Sequence, residues 1–459
     1  MSKHYLRIPL IAAAITSLAL TTTAQSFAGA VPQRLRTKQR VEGLYTNNVE
    51  AASYFQQGVT LYNRNEFQAA EQAFRKALAF DPFIAMGHYL LGNSLLEQGK
   101  TELATEEYRR AISLQPNLAE AQYNLGLALY RQNNLEGAIA QYQRAIALNR
   151  ELAPAYYNLG LAYEGQGRVE EALTQYREAI RINPNYAIAH YNLGLLLSKG
   201  NQTEPAITAL QEAVRSNPKL AQAQYQLGIL LIKQGRLDDG KNALKEATKV
   251  EPRFAEAHYQ LGLVLAQQNS YADAGDRFEW VTKLEPDNVE AYRQLGAARI
   301  QTREYKIAET ALQTAVRLQP GDALTHYNLG VVLQRQKKYP DAIAQYQQAI
   351  RFNPRLSEAY YSLGVALEQS QQRQEALASL QEARNLFSQE GNQQKLNEVD
   401  QYVEQLTAPP LTVPAVVQPT LPPATQPQQF NNSPIQPTPL PTLTPQRSGS
   451  PLPTPPRNR

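Results

Sequence analysis

Glycine recurs every 34 residues, at Gly58, Gly92, Gly126, Gly160, Gly194, Gly228, Gly262, Gly296, Gly330 and Gly364, and this period constrains the chain more than any other property. Self-similarity at such an interval marks an array of identical supersecondary units rather than one globular core. Proline keeps the same register at Pro82, Pro116, Pro184, Pro218, Pro252, Pro286, Pro320 and Pro354, giving way only at Arg150 and Ser388. Because proline cannot continue a helix, these positions read as helix stops. Numbering each unit so that the glycine is its eighth residue gives ten units: 51–84, 85–118, 119–152, 153–186, 187–220, 221–254, 255–288, 289–322, 323–356 and 357–390. Place 7 is Leu in all but the first, and place 20 is Ala70, Ala104, Ala138, Ala172, Ala206, Gly240, Ala274, Ala308, Ala342 or Ala376.

Composition removes several function classes. The chain has no cysteine, which excludes disulfides, thiolate nucleophiles, zinc ribbons and iron-sulfur clusters. Of the formal charge of +4, residues 1–50 carry +4 and residues 408–459 carry +3, leaving −3 between them. A nearly neutral body offers no basic stripe with which to displace counterions from a duplex, so no nucleic-acid partner is expected. His88, His190, His258 and His326 all occupy place 4 and stand whole repeats apart, so they cannot share a metal ion and read as packing residues. Gly99-Lys100-Thr101 lacks the upstream glycine of a phosphate-binding loop, Ser94 standing in its place, and reads as a turn between helices. No catalytic residue, metal site or cofactor is expected.

Each unit reads as two helices. In the first, places 4, 7, 8 and 11 form one stripe, for example Tyr156, Leu159, Gly160 and Tyr163, predicted to face the second helix. The glycine admits a bulky side chain from that helix, with the small residue at place 20 assisting from the other side. No unit can bury its apolar face alone, so each stabilises its neighbours and the ends need caps. Leu396, Val399, Val403 and Leu406 form one further stripe, predicting a capping helix over 391–407.

The unit Ala155-Tyr156-Tyr157-Asn158-Leu159-Gly160, followed by Ala172, Tyr176, Ala179 and Pro184, resembles the tetratricopeptide repeat family, whose 34-residue signature is an established example of such periods. The resemblance implies an all-α fold, a right-handed α-solenoid of ten helix-turn-helix repeats whose first helices line a concave groove that binds a peptide or partner protein. The groove places it implies carry Tyr89, Tyr123, Tyr157, Tyr191, Tyr225, Tyr259, Arg293 and Tyr327 at place 5; Asn124, Asn158, Asn192, Gln226, Gln260 and Asn328 at place 6; and Leu127, Leu161, Leu195, Ile229 and Leu263 at place 9. Place 5 is expected opposite the packing stripe, although its tyrosines can equally pack against the next helix. One carboxamide per repeat can donate to and accept from an extended backbone. This row is similar to the asparagine ladder of O-linked N-acetylglucosamine transferases, but no room remains for their catalytic part. The Lys and Asn of the family's chaperone-tail clamps are replaced by Tyr and Leu, so no terminal-carboxylate ligand is expected. The unit at 289–322 departs most, with Arg293, Ala297 and Arg299, and reads as a weak joint or a charged divider. Trp280, the only tryptophan, is expected to lie over a neighbouring repeat or to mark an outer contact.

At the N-terminus, Lys3 and Arg7 precede an apolar run from Ile8 to Leu20, and Ala28-Gly29-Ala30 offers a cleavage site. This reads as a secretory signal over 1–30; an uncleaved anchor would want ~20 apolar residues. A basic arm is expected over 31–50, and no stable membrane insertion once the signal is removed. Residues 408–459 hold 16 prolines and no acidic side chain, which predicts a disordered tail favouring extended, polyproline-like conformations, either inert or a ligand for aromatic grooves. Exported, cysteine-free repeat chains of this composition resemble bacterial and cyanobacterial proteins, implying the periplasm or thylakoid lumen. The expected function is a non-catalytic scaffold in assembly of an envelope or membrane complex. The alternatives are a structural tether working through the tail, or an accessory subunit of a glycosyltransferase-type enzyme. End-to-end stacking is open to any array with poor caps, so the sequence leaves oligomeric state open.

Overall fold

The computed structural model describes residues 46–407, and every regular element among them is an α-helix. The first helices of the ten pairs are α1 (Val49–Asn63), α3 (Ala85–Glu97), α5 (Ala119–Arg131), α7 (Ala153–Gly165), α9 (Ala187–Lys199), α11 (Ala221–Lys233), α13 (Ala255–Gln267), α15 (Val289–Gln301), α17 (Ala323–Arg335) and α19 (Ser357–Gln369). Their partners are α2 (Phe67–Phe80), α4 (Thr101–Leu114), α6 (Leu135–Leu148), α8 (Val169–Ile182), α10 (Thr203–Ser216), α12 (Leu237–Val250), α14 (Tyr271–Leu284), α16 (Tyr305–Leu318), α18 (Tyr339–Phe352) and α20 (Arg373–Gln389), and α21 (Gln393–Thr407) closes the series. Each helix packs on the next in chain order, which is the architecture of an α-solenoid. The expected signal at 1–30 and tail at 408–459 lie outside the described residues, as does most of the arm. That arm ends sooner than expected, because Asn48 caps α1 by accepting from the Ala51 amide at 2.8 Å, and Val49 and Glu50 are already helical.

The glycine at place 8 sets how closely the helices of a pair approach. A Cβ built on Gly160 would lie 2.7 Å from the Tyr176 ring, and the same collision arises between Gly58 and Phe74, Gly92 and Tyr108, Gly126 and Tyr142, Gly262 and Phe278, and Gly330 and Tyr346. Where place 24 is leucine, as at Leu210, Leu244, Leu312 and Leu380, the glycine meets its branch point instead. The backbones approach closely too: the carbonyl of Ala138 stands 3.3 Å from a Cβ on Gly126, and that of Ala206 3.2 Å from one on Gly194. A larger residue at place 20 would force the pair apart there.

Helix ends explain the two missing prolines. At place 31, Asp81, Asn149, Asn183, Asn217 and Asn353 each accept from the backbone amide two residues on, forming a turn that stops the second helix. Asn149 supplies this stop although Arg150 replaces proline. In the tenth pair both signals are absent, Phe387 and Ser388 standing there, and α20 runs on to 17 residues where the other second helices have 14.

The apolar core is continuous from Ala51 to Ala243, with further clusters from Leu244 to Ala311 and from Ile300 to Ala376. The cap α21 buries Val399 and Tyr402 against Tyr361, Val365, Leu380 and Phe387. Within each pair the turn at place 15 is left-handed. Asn65, Gly99, Asn133, Gly167, Asn201, Gly235 and Asn269 tolerate it well, whereas Arg303, Lys337 and Gln371 adopt φ of 64°, 63° and 65° with side chains that favour it poorly. Arg303→Gly and Lys337→Gly should therefore each raise unfolding free energy by about 0.5–1 kcal/mol. Gly160→Val should lower it by roughly 1–3 kcal/mol. Urea unfolding followed by circular dichroism checks both.

Candidate functional site

Places 5 and 8 are one helical turn apart, so the side chain at place 5 points into the seam beside the glycine. The Tyr123 and Tyr142 rings lie 5.9 Å apart, those of Tyr157 and Tyr176 5.8 Å, and those of Tyr327 and Tyr346 5.9 Å. Place 5 is therefore not on the far side of the helix, as the sequence reading had it, but between the two helices of its own pair and the first helix of the next.

The carboxamides of the early repeats are used within this seam. Asn158 Nδ2 donates to Tyr123 Oη at 2.9 Å and Asn192 Nδ2 to Tyr157 Oη at 2.9 Å, each tying one repeat to the preceding one. Asn124 Nδ2 donates to Asn93 Oδ1 at 2.7 Å and contacts Tyr89 Oη at 3.4 Å, while Tyr108 Oη donates to the same Asn93 oxygen at 2.8 Å. Tyr89, Tyr123, Asn124, Leu127, Tyr157, Asn158, Leu161, Tyr191 and Asn192 are all buried to an exposure of 3% or less. Their assignment to a groove surface is corrected: they hold the array together and present almost nothing to a ligand. Tyr259 and Tyr327 are corrected likewise, buried against Phe278 and Tyr346. Ser362 takes the place-6 role for Tyr327. The sequence reading missed Asn93, a polar residue at place 9 where most repeats carry an aliphatic one, and Ser362, a polar residue one repeat on from Tyr327.

From α9 to α13 the surface differs. Leu195, Tyr225, Gln226, Ile229, Gln260 and Leu263 are only half-buried. Glutamine carries one methylene more than asparagine, and the side-chain carboxamides of Gln226 and Gln260 hydrogen-bond to no described residue. Exposed Glu256 stands at the start of α13. Further along, Arg293 crosses the same strip, its guanidinium 3.0 Å from Glu290 and 3.3 Å from Asp322. Gln294 Nε2 also donates to Glu290, at 2.9 Å, and the Tyr259 hydroxyl is hydrogen-bonded to it. The 289–322 unit thus carries a charged cluster at this point. Beyond it Asn328 and Val331 are again half-buried. The sequence reading missed Glu290 and Asp322, whose one signal was the Arg293 they complement.

A second charged cluster sits deeper. Arg299, 6% exposed, takes a core place where Leu265 and Leu333 stand in adjoining repeats, and pairs with Asp276 at 2.7 Å, Glu304 at 3.0 Å and Glu279 at 3.3 Å. Gly275 makes the room: a Cβ there would lie 2.9 Å from Arg299 Nε.

The place-4 histidines each direct Nε2 at the carbonyl of the proline six residues before, His88 to Pro82 at 3.0 Å, His190 to Pro184 at 2.9 Å, His258 to Pro252 at 3.1 Å and His326 to Pro320 at 2.9 Å. This fastens each repeat to the end of the last. Burial holds the His258 imidazole below its ordinary range. Trp280 follows suit, its indole donating to Pro252 O at 2.8 Å over the junction of two repeats. Lys100 turns to Glu71 at 2.8 Å, and Gly99 is the left-handed residue of an interhelical turn.

Burial pushes the Tyr191 and Tyr225 phenols up to about 12, and Tyr157 higher still. The folded state keeps protons that an unfolded tyrosine loses near pH 10, so this stability is complete below pH 10 and lost as the pH rises to about 12. The portion of the phenolate absorbance that belongs to Tyr157, Tyr191 and Tyr225, read as the part lost in a variant with all three changed to Phe, should accordingly appear together with loss of helical ellipticity, not before it. Asn158→Ala should cost about 1–3 kcal/mol, and Gln260→Ala should stay within about 0.5 kcal/mol, both read from urea midpoints.

A TPR-repeat profile matches residues 92–133, 127–167, 165–200 and 335–371, and tetratricopeptide-repeat profiles match 51–83, 191–239, 225–279 and 272–323. No curated protein matches the chain. Among solved structures, YrrB, described as a TPR protein with an unusual peptide-binding site, is 29% identical over 41% of this chain and 96% of its own, with a TM-score of 0.36. MamA is 31% identical over 36% of this chain and 96% of its own, with a TM-score of 0.34. PilF of Pseudomonas aeruginosa is 24% identical over 44% of this chain and 92% of its own, with a TM-score of 0.41.

Proposed function

The chain belongs to the tetratricopeptide repeat family, and on that premise we propose that it is a non-catalytic protein-interaction scaffold that holds an extended peptide segment of a partner along α9, α11 and α13. The observation that carries this reading is the half-buried row Leu195, Ile229 and Leu263 beside the unengaged carboxamides Gln226 and Gln260. Aliphatic side chains at repeat intervals of about 10 Å offer apolar area to every third residue of an extended strand, and a carboxamide can both donate to and accept from its backbone. Such a site recognises extension and spacing more than a particular sequence. Asn328 and Val331 offer a shorter continuation beyond the Arg293 divider.

The basic, apolar and small-residue order of the first 30 residues supports export, and with it a role in assembling an envelope or membrane complex in the periplasm or thylakoid lumen. Among the described residues no helix is long and apolar enough to cross a membrane.

Selection of displayed random peptides against the full chain tests the groove. Peptides with apolar residues at regular intervals should be enriched, and their affinity should fall about tenfold or more in an Ile229→Gln/Leu263→Gln variant of unchanged helical ellipticity. Equal affinity in that variant would move the site off this strip.

A further inference from the structure

We propose that the strip along α9, α11 and α13 is occupied, when no partner is present, by the chain's own residues 437–443, so that a partner must displace them. The proposal rests on the groove reading above and names the occupant of that site.

Spacing is the first argument. Leu195, Ile229 and Leu263 recur once per repeat on successive first helices, roughly 10 Å apart if these helices keep ordinary packing distances. A polyproline II strand rises ~3.1 Å per residue with three residues per turn, so its side chains return to one face every ~9 Å. Three apolar residues at i, i+3 and i+6 in such a strand would meet three aliphatic side chains in register. The sequence from 437 to 443 is Pro-Thr-Pro-Leu-Pro-Thr-Leu, which places Pro437, Leu440 and Leu443 on one face and supplies the proline content that favours this conformation.

Hydrogen bonding is the second. A proline has no amide hydrogen, so a proline-rich strand presents mostly acceptors. Gln226 and Gln260 carry side-chain N–H groups that bond to nothing else among the described residues. The segment is uncharged, and residues 408–459 contain no acidic side chain for Glu256 to repel.

Reach is the third, and it selects among candidates. Leu411, Pro414 and Val417 share the same spacing, but Leu411 follows the end of α21 at Thr407 by four residues, which span at most ~14 Å. From α21 back to α13 is about four helix pairs, or roughly 40 Å. Pro437 lies 30 residues beyond Thr407, and an extended chain of that length spans up to ~100 Å. The Arg293 divider closes the end of the strip nearer α21, which leaves room for three aliphatic contacts and so for seven residues of strand.

The test is a photo-crosslinking benzophenone side chain introduced at Gln260 of the full-length chain, with the linked peptides identified by mass spectrometry. The expected product joins Gln260 to residues 437–443 within one chain, disappears in a Leu440→Asp/Leu443→Asp variant, and is suppressed by excess of a peptide selected on the groove. The same variant should bind that selected peptide about tenfold tighter, because a tethered competitor acts at an effective concentration near millimolar. No link to 437–443, or a link found only between differently labelled copies, would overturn the proposal. If the link is absent while the selected peptide still loses affinity in Ile229→Gln/Leu263→Gln, the tail is not the occupant and the groove reading stands. If neither effect is seen, both fall.

Discussion

The contact on which the rest of the array depends is a side chain lying on a glycine. At place 8 the missing Cβ lets a ring or a leucine from the second helix rest against the backbone of the first, and this fixes the separation of the pair. With that distance set, the tyrosine one turn earlier must fill the space at the edge of the seam, and its hydroxyl emerges where the next repeat begins. Asn158 and Asn192 then convert a packing contact into a bond between repeats. In an array whose stability is the sum of unit and nearest-neighbour terms, a device that joins neighbours adds to the interface term, the one that makes unfolding cooperative.

The period made the architecture legible in advance. Glycine and proline at 34-residue intervals fix the helix pairs and their count, and the stripe from Leu396 to Leu406 gives the cap that α21 forms. The groove was less legible, for a geometric reason. Treating places 4, 7, 8 and 11 as the whole contact face left place 5 to the outside, yet 300° of rotation separates places 5 and 8, only about 60° from coincidence. Nor does a place-6 carboxamide reveal its role by being present: Asn124, Asn158 and Asn192 are consumed in the seam, while Gln226 and Gln260 are not. The engaged amides of the early repeats are asparagines, and the two unengaged ones along α11 and α13 are glutamines, one methylene longer. The helix stops show a similar overlap, since the side-chain turn at Asn149 does the work assigned to a proline that is absent.

The 289–322 unit breaks the pattern twice, with different consequences. Arg299 enters the core, and the small residue that admits it, Gly275, lies on the preceding helix pair. The apolar clusters meet near this point instead of running through. A buried charge of this kind contributes little net stability even when fully paired, because desolvation offsets the Coulombic gain. Arg293 acts on the surface: its pairing with Glu290 and Asp322 neutralises the strip locally but fills it with side chains already committed to each other.

The strip proposed to hold a ligand is therefore short for so long an array. The seam bonds absorb the carboxamides up to Asn192 on α9, and the Arg293 cluster absorbs Gln294 at α15, so half-buried aliphatics run over three repeats and unengaged carboxamides over the last two of them. Three contacts roughly 10 Å apart span about 20 Å, which is about seven residues of extended chain. A site of that length gains its affinity from a few apolar contacts, and it pays to order whatever strand enters it. A tethered strand loses less freedom on entering than a free one, which is why a segment of the same chain can compete with an external partner despite modest contacts. The regular repeats thus supply a rigid rail, and selectivity follows from the few positions at which their side chains depart from the repeat.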